Sequence, residues 1–170
     1  MTQRTDDTPE THRLVENRED LLAVFSDGEK PPERWRIGTE HEKFVYNVRD
    51  HHAPSYDEPG GIRDLLNGLT QFGWKPVTEN GNVIALSGPD GTISLEPAGQ
   101  FELSGAALEN LHQTCAEAGR HLEQCKAVGE RPGVGFLGLG MWPDKTRADL
   151  PVMPKGRYKI MLNYMPKRGS

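Results

Sequence analysis

The sequence has little cysteine, and its two cysteines, Cys115 and Cys125, stand ten residues apart. In the helix that the surrounding pattern predicts, ten residues rise about 15 Å, which is too far for a disulfide. His112 and His121 each share a helix face with one cysteine, yet two pairs so far apart cannot hold one zinc ion. We therefore predict that both cysteines pack in a core, and a disulfide framework of the secreted kind is excluded.

Long apolar runs are also missing. The longest, VGFLGLGMW at residues 134–142, is too short and too rich in glycine to cross a bilayer. The opening MTQRTDDTPETHR is polar and has no apolar segment of a secretory signal. These features predict a cytoplasmic protein without a membrane partner, in which residues 1–14 form a flexible tail and residues 15–170 one domain.

Positive charge is in deficit, with 20 Lys and Arg residues against 25 Asp and Glu residues and a formal net charge of -5. This balance argues against a nucleic-acid partner, because such a partner is held by a surplus of cations facing phosphates. Two catalytic motifs are absent as well. GVGFLGLG lacks the lysine and the Ser or Thr of a phosphate-binding P-loop, and no GxSxG nucleophile motif occurs.

Three segments have the apolar periodicity of helices. VENREDLLAVFS places Leu21, Leu22 and Phe25 on one side, and IRDLLNGLTQFG carries four aliphatic residues at helical spacing. The longest segment runs from residue 106 to about residue 128, and its apolar stripe is expected to face a core. That stripe consists of Leu108, Leu111, Cys115, Ala118, Leu122 and Cys125.

Between Val83 and Ser104 the apolar period changes to two. The runs VIALSG, TISLEP and QFELSG are separated by the turn residues PDG and AG, which predicts an antiparallel meander. RIGTEHEKFVY and GVGFLGLGMW indicate two further strands. The predicted fold class is α+β, with an antiparallel sheet backed by helices.

The strand RIGTEHEKFVY carries two carboxylates on one face, because side chains alternate along a strand and Glu40 and Glu42 are two residues apart. A simple solvated face would require a cleanly apolar opposite face. His41 and Lys43 interrupt that opposite face, so the solvated interpretation fits poorly.

Two more carboxylates lie in the meander, where Glu96 shares a face with Ser94 and Glu102 shares one with Gln100. If the strands join in one sheet, the four carboxylates line one polar concave face whose reverse packs on the long helix. Like charges so close repel one another, and hard divalent cations with oxygen ligands, Mg²⁺ above all, are their natural occupants. A solvated or ion-paired surface is the alternative.

Three longer stretches carry a family resemblance: RIGTEHEKFVYN, GTISLEPAGQFELSGAALENLHQTCAE and VMPKGRYKIMLNYMPKRGS. In this order they closely resemble glutamate–cysteine ligases of the proteobacterial and plant type, from about Val15 to Ser170. The resemblance implies a glutamine-synthetase-like fold, in which a curved antiparallel sheet carries Mg²⁺ and nucleotide on its concave face. It also implies that ATP phosphorylates the γ-carboxylate of glutamate and that the cysteine amine then forms γ-glutamylcysteine, the first step of glutathione biosynthesis.

The resemblance also implies roles for individual residues. Arg157 in KGRYKIM would bind a substrate carboxylate or developing phosphate charge, because its planar guanidinium suits bidentate contact, and a surface ion pair is the alternative. Gln100 and Tyr158 would line the glutamate pocket. The Mg²⁺ ligands would be the four carboxylates, Glu40, Glu42, Glu96 and Glu102.

Members of this family continue far beyond the position of Ser170. The resemblance therefore implies that residues 15–170 are the N-terminal part of a ligase catalytic domain, with little or no activity alone. The alternative is a non-catalytic fragment of the ligase that binds metal or glutamate.

Overall fold

The computed structural model describes residues 14–89 and 91–168. Residues 1–13 of the predicted flexible tail lie outside the described residues. The chain divides into two compact units, Met1–Arg36 and Ile37–Ser170. The predicted arrangement of a tail and one domain stays a prediction.

The first unit contains the helix α1 (Arg18–Ser26). A capping box begins it, in which the Asn17 side chain accepts from the Asp20 backbone N–H and the Asp20 carboxylate accepts from the Asn17 N–H. The predicted helix is confirmed. Its apolar residues Leu21 and Phe25 are exposed, at 53% and 76%.

The second unit is built around one six-stranded antiparallel sheet. Its helices and strands are β1 (Glu40–Asn47), α2 (Ile62–Leu69), β2 (Lys75–Glu79), β3 (Asn82–Ser87), β4 (Thr92–Glu96), β5 (Gln100–Ser104), α3 (Leu111–Glu130), β6 (Val134–Leu137) and α4 (Gly156–Tyr164). The strands lie in the order β2-β3-β4-β5-β1-β6. This arrangement confirms the predicted α+β class and the meander of β3, β4 and β5.

The core lies on one side of this sheet, where α2 contributes four fully buried residues to the same apolar cluster as the strands. Burial of each such side chain stabilises the fold by about 1.5–3 kcal/mol. The cluster includes Ile62, Leu65, Leu66, Leu69, Leu86, Ile93, Leu95, Phe101, Leu103 and Val128. No helix within the described residues is long and apolar enough to cross a membrane.

The predicted apolar stripe of α3 is wrong at three of its positions. Leu111 is 71% exposed, Leu122 is 36% exposed and Cys115 is exposed as well, whereas Cys125 is buried as predicted. The buried side chains are those that reach α2 and β6, which α3 contacts along its second half. His121, a polar residue outside the predicted stripe, is among them.

Candidate functional site

The strand register brings the predicted carboxylates onto one side of the sheet, which we call the carboxylate face (Glu40, Glu42, Glu96 and Glu102). Glu42 of β1 lies directly opposite Glu102 of β5, and Ser94 of β4 lies opposite Glu102 on its other side. Directly opposed residues have Cβ atoms only about 4.5–5.5 Å apart. Two like charges therefore meet in the middle of the sheet.

Hydrogen bonds orient both members of this pair. The buried Gln100 amide donates to Glu42 Oε2 at 2.9 Å. Glu102 accepts from the Ser104 hydroxyl at 2.7 Å and from the Ser94 hydroxyl at 3.3 Å. The donors are neutral, so they position the carboxylates without cancelling their charge.

Glu96 is held differently from the other three carboxylates. It accepts a hydrogen bond from Arg157 at 2.7 Å, and Lys155 Nζ lies 3.9 Å from the same oxygen. Burial and the neighbouring Arg157 lower the pKa of Lys155. The sequence reasoning missed Lys155, although its position beside Arg157 in PKGR was a signal for a second cation. The alternative interpretation of Arg157, an ion pair, therefore describes its present contact.

Tyr158 anchors α4 to the edge of this face. Its side chain is buried, and its hydroxyl donates to the Leu95 carbonyl at 2.8 Å. Burial raises the pKa of Tyr158. The Arg157 guanidinium lies over its ring at 5.3 Å from the centroid. Tyr158 thus fixes Arg157 beside Glu96, and its role in a glutamate pocket stays a prediction.

Within residues 14–89 and 91–168, no group of three or more His, Cys, Asp or Glu side chains is arranged to hold a metal ion. The donor chemistry nevertheless fits a hard cation, because Glu42 and Glu102 present carboxylate oxygens from opposed positions. Glu40 lies two residues from Glu42, opposite Ser104. The four Mg²⁺ ligands stay a prediction.

The reverse side of β1 holds an unexpected charge. Lys43 is 1% exposed, and its ammonium group contacts His41 Nδ1 at 3.0 Å and the His41 carbonyl at 2.6 Å. Burial lowers the pKa of Lys43 to about 8. The residue that interrupted the apolar alternation of this strand is thus part of the interior.

The fold and the carboxylate face define a class: an α+β protein whose antiparallel sheet presents opposed carboxylates on one side and packs helices on the other. The family described as glutamate-cysteine ligase family 2 matches residues 36–170. The chain belongs to this family, which confirms the predicted resemblance.

Plant enzymes are among its relatives. The chain is 55% identical over 166 residues to glutamate–cysteine ligase B, chloroplastic, of Oryza sativa subsp. japonica, covering 96% of this chain and 33% of the relative. It is 54% identical over 154 residues to the chloroplastic glutamate–cysteine ligase of Arabidopsis thaliana, covering 90% of this chain and 29% of the relative. The chain thus spans about a third of the length of these relatives. Because the relatives are chloroplastic, the predicted cytoplasmic location is contradicted.

Proposed function

We propose that this chain supplies the N-terminal part of a ligase that joins the γ-carboxyl group of glutamate to the amine of cysteine, using ATP and Mg²⁺. The observation that carries the proposal is the direct opposition of Glu42 and Glu102 in the sheet. Opposed like charges destabilise a sheet, so this arrangement favours a cationic ligand at that position. Family membership supports the reaction class.

The charges of the reactants explain why the carboxylates are needed. A glutamate carboxylate must approach ATP phosphates that are themselves negative, and Mg²⁺, when bound, supplies the neutralising charge. Glu40, Glu42 and Glu102 would hold that charge on the sheet face. Gln100 keeps Glu42 in place through its amide, as the 2.9 Å hydrogen bond supports.

Arg157 would bind anionic groups of the substrates. Its guanidinium is 55% exposed and therefore accessible from solvent, although it now contacts Glu96. A carboxylate or phosphate can replace Glu96 as its partner because both offer two oxygens to the planar guanidinium. In this proposal Glu96 orients Arg157. The ring of Tyr158 supports the Arg157 guanidinium and also lines the glutamate pocket.

The metal part of the proposal is tested by calorimetric titration of the chain with MgCl₂. We expect the double variant Glu42→Gln, Glu102→Gln to weaken Mg²⁺ binding by at least about tenfold, because it removes both opposed charges while keeping the size of the side chains. Glu123→Gln on the exposed side of α3 is the matched control. Equal Mg²⁺ binding by the parent chain and the double variant would contradict the carboxylate site.

A further inference from the structure

One histidine of the connection between β1 and α2 lies between two carboxylates. His52 Nδ1 is 2.6 Å from Asp50 Oδ1, and His52 Nε2 is 2.8 Å from Glu58 Oε1. An ionised carboxylate only accepts hydrogen bonds, so each ring nitrogen needs a proton to make its contact. A neutral imidazole has a single N–H, and the two contacts together therefore require the imidazolium form.

The same carboxylates also accept hydrogen bonds from the backbone of the connection. Asp50 Oδ1 accepts from the His52 N–H at 3.1 Å, and Glu58 Oε2 accepts from the Ser55 N–H at 2.8 Å. The Asn47 N–H, at the end of β1, donates to the His52 carbonyl at 3.0 Å. The imidazole ring thus links the end of β1 to the turn that precedes α2.

The two carboxylates also favour the charged form of the ring. Hydrogen bonds to Glu58 and to Asp50 raise the pKa of His52 above its ordinary value of 6.5, against the smaller opposing effect of burial. The His52 side chain is 41% exposed, so its protons exchange with solvent.

The neighbouring elements contact the connection at other points. From α2, Arg63 pairs with Asp57, and the Asp64 carboxylate accepts from a backbone N–H of the connection. On the β6 side, the Val48 N–H donates to the uncharged Gly133 carbonyl. The pKa of the histidine depends on neither of the two α2 charges.

The turn that contains the histidine also supplies one wall of a pocket. His51 has a left-handed φ of 59°, which is uncommon for a residue other than glycine, and its ring meets Tyr46 edge to face at 6.1 Å between centroids. Both residues line a pocket of about 280 Å³ together with Phe44 and Trp142. Loosening of the turn would therefore alter this pocket.

We propose that Asp50, His52 and Glu58 form a pH-sensitive latch that holds the β1–α2 connection and the pocket wall beside it. When the imidazolium releases one proton to solvent, one ring nitrogen keeps its N–H and the other presents a lone pair to a carboxylate. That carboxylate loses its donor, and residues 50–58 loosen with it. The latch does not depend on the proposed ligase chemistry.

The sign of the effect follows from the raised pKa. The stabilisation by the latch is fully present below the pKa of the unfolded histidine, near 6.5, and is lost as the pH rises through the higher pKa of the folded chain. Acidic and neutral conditions thus close the latch, and alkaline conditions open it.

NMR titration of the His52 ring tests the latch in the parent chain. We expect the midpoint of the ring signal to lie at a higher pH in the folded chain than in the same chain unfolded in urea. Asp50→Asn and Glu58→Gln should each lower the folded midpoint, whereas Glu123→Gln, at an exposed position of α3, should leave it unchanged. A folded midpoint at or below the urea value would overturn the proposal, and that comparison needs no variant to fold.

Hydrogen exchange tests whether the proton controls the segment. Between pH 6 and pH 9, after correction for the intrinsic exchange rate, the protection of amides in residues 50–58 should fall by at least about threefold in the parent chain. In His52→Gln it should stay constant, because the glutamine amide does not titrate in this range. The amides of β4 serve as the internal control. The same fall in the parent chain and in His52→Gln, or no fall in either, would overturn the proposal.

Discussion

Lys43 shows how strongly one buried charge can shape the stability of this chain. No carboxylate is within hydrogen-bonding distance of its ammonium group among the described residues, and its contacts are both with His41. Its pKa falls from 10.5 to about 8, chiefly because burial disfavours the charged form. The unfolded chain therefore binds more protons than the folded chain between pH 8 and pH 10.5. The free energy of unfolding should therefore rise with pH across that window. Below the window, the folded chain bears the full cost of burying the charged ammonium group.

We expect Lys43→Met to raise the free energy of unfolding by about 2 kcal/mol at pH 7, because a buried charge is replaced by an apolar side chain of similar length. The gain should shrink as the pH rises from 8 to 10.5, where the folded parent chain sheds its charge. Urea unfolding at pH 7 and pH 10 measures both effects, and Lys126→Met, at an exposed position of α3, is the control. A loss of stability at pH 7, or a gain independent of pH, would contradict this assignment.

The sequence pattern assigns individual side chains to faces of the sheet, but it does not identify their partners. Alternation along β1 was enough to put Glu40 and Glu42 together. The opposition of Glu42 and Glu102 depends on strand order, which alternation does not specify. The contact of Arg157 with Glu96 likewise joins residues 61 positions apart, and only the docking of α4 beside β4 creates it.

Among the elements, β2 is the strand that the sequence pattern did not indicate. Its five residues, KPVTE, contain a proline and show little apolar alternation. β2 pairs only with β3, at the edge of the sheet, where a proline is tolerated. The clearer signal in the sequence was the Asn-Gly pair of the turn that follows. In the structure, Asn80 and Gly81 both have left-handed φ angles, of 50° and 80°. An Asn-Gly pair with this geometry is the preferred two-residue connection of a hairpin.

Two glycines allow a matched test of this hairpin. A Cβ at Gly81 or at Gly119 would meet no atom within 4 Å, so Gly→Ala changes only the backbone preference at each position. Gly81→Ala should lower the free energy of unfolding by about 1 kcal/mol, because alanine disfavours the left-handed region. Gly119→Ala, within α3, should raise it by about 0.5–1 kcal/mol. Shifts of the same sign in urea unfolding would show that the turn does not need glycine.

For the helices, apolar periodicity predicted where a helix lies in the sequence better than it predicted which face of the helix is buried. The four aliphatic residues of α2 are all buried, as the pattern predicted. In α3 the pattern followed the leucines, yet the buried face is set by where the helix contacts α2 and β6. Leu111 and Leu122 are exposed, whereas His121 is buried at that contact, so hydrophobicity alone assigned the wrong stripe.

Within the second unit, taken as a whole, part of the carboxylate face is open to solvent. Glu40 and Glu42 are exposed, and Arg157 is 55% exposed. Phosphoryl transfer depends on electrostatic contacts in a site that excludes water, and an open face strongly screens those contacts. An isolated face of this kind favours weak binding of ligands such as Mg²⁺ over catalytic turnover.

We therefore expect the 170-residue chain to bind Mg²⁺ while releasing no ADP above background from ATP, glutamate and cysteine. A coupled ADP-release assay measures this, with the full-length rice relative as the positive control. Release at a rate near that of the relative would show that this third of the length is sufficient for catalysis. Binding without release would match the alternative of a non-catalytic fragment.

The position of β1 in the sheet means that its partner strands are synthesised after β1 itself. β1 pairs with β5 and β6, and Glu42 meets its partner Glu102 only 60 residues later in the chain. At about 5–20 residues per second, a ribosome needs roughly 3–12 s to supply that partner. During this delay both edges of the strand are unpaired and open to neighbouring nascent chains. Charged side chains disfavour such pairing, so the charges of Glu40 and Glu42 oppose association of the strand with other chains before it takes its place in the sheet.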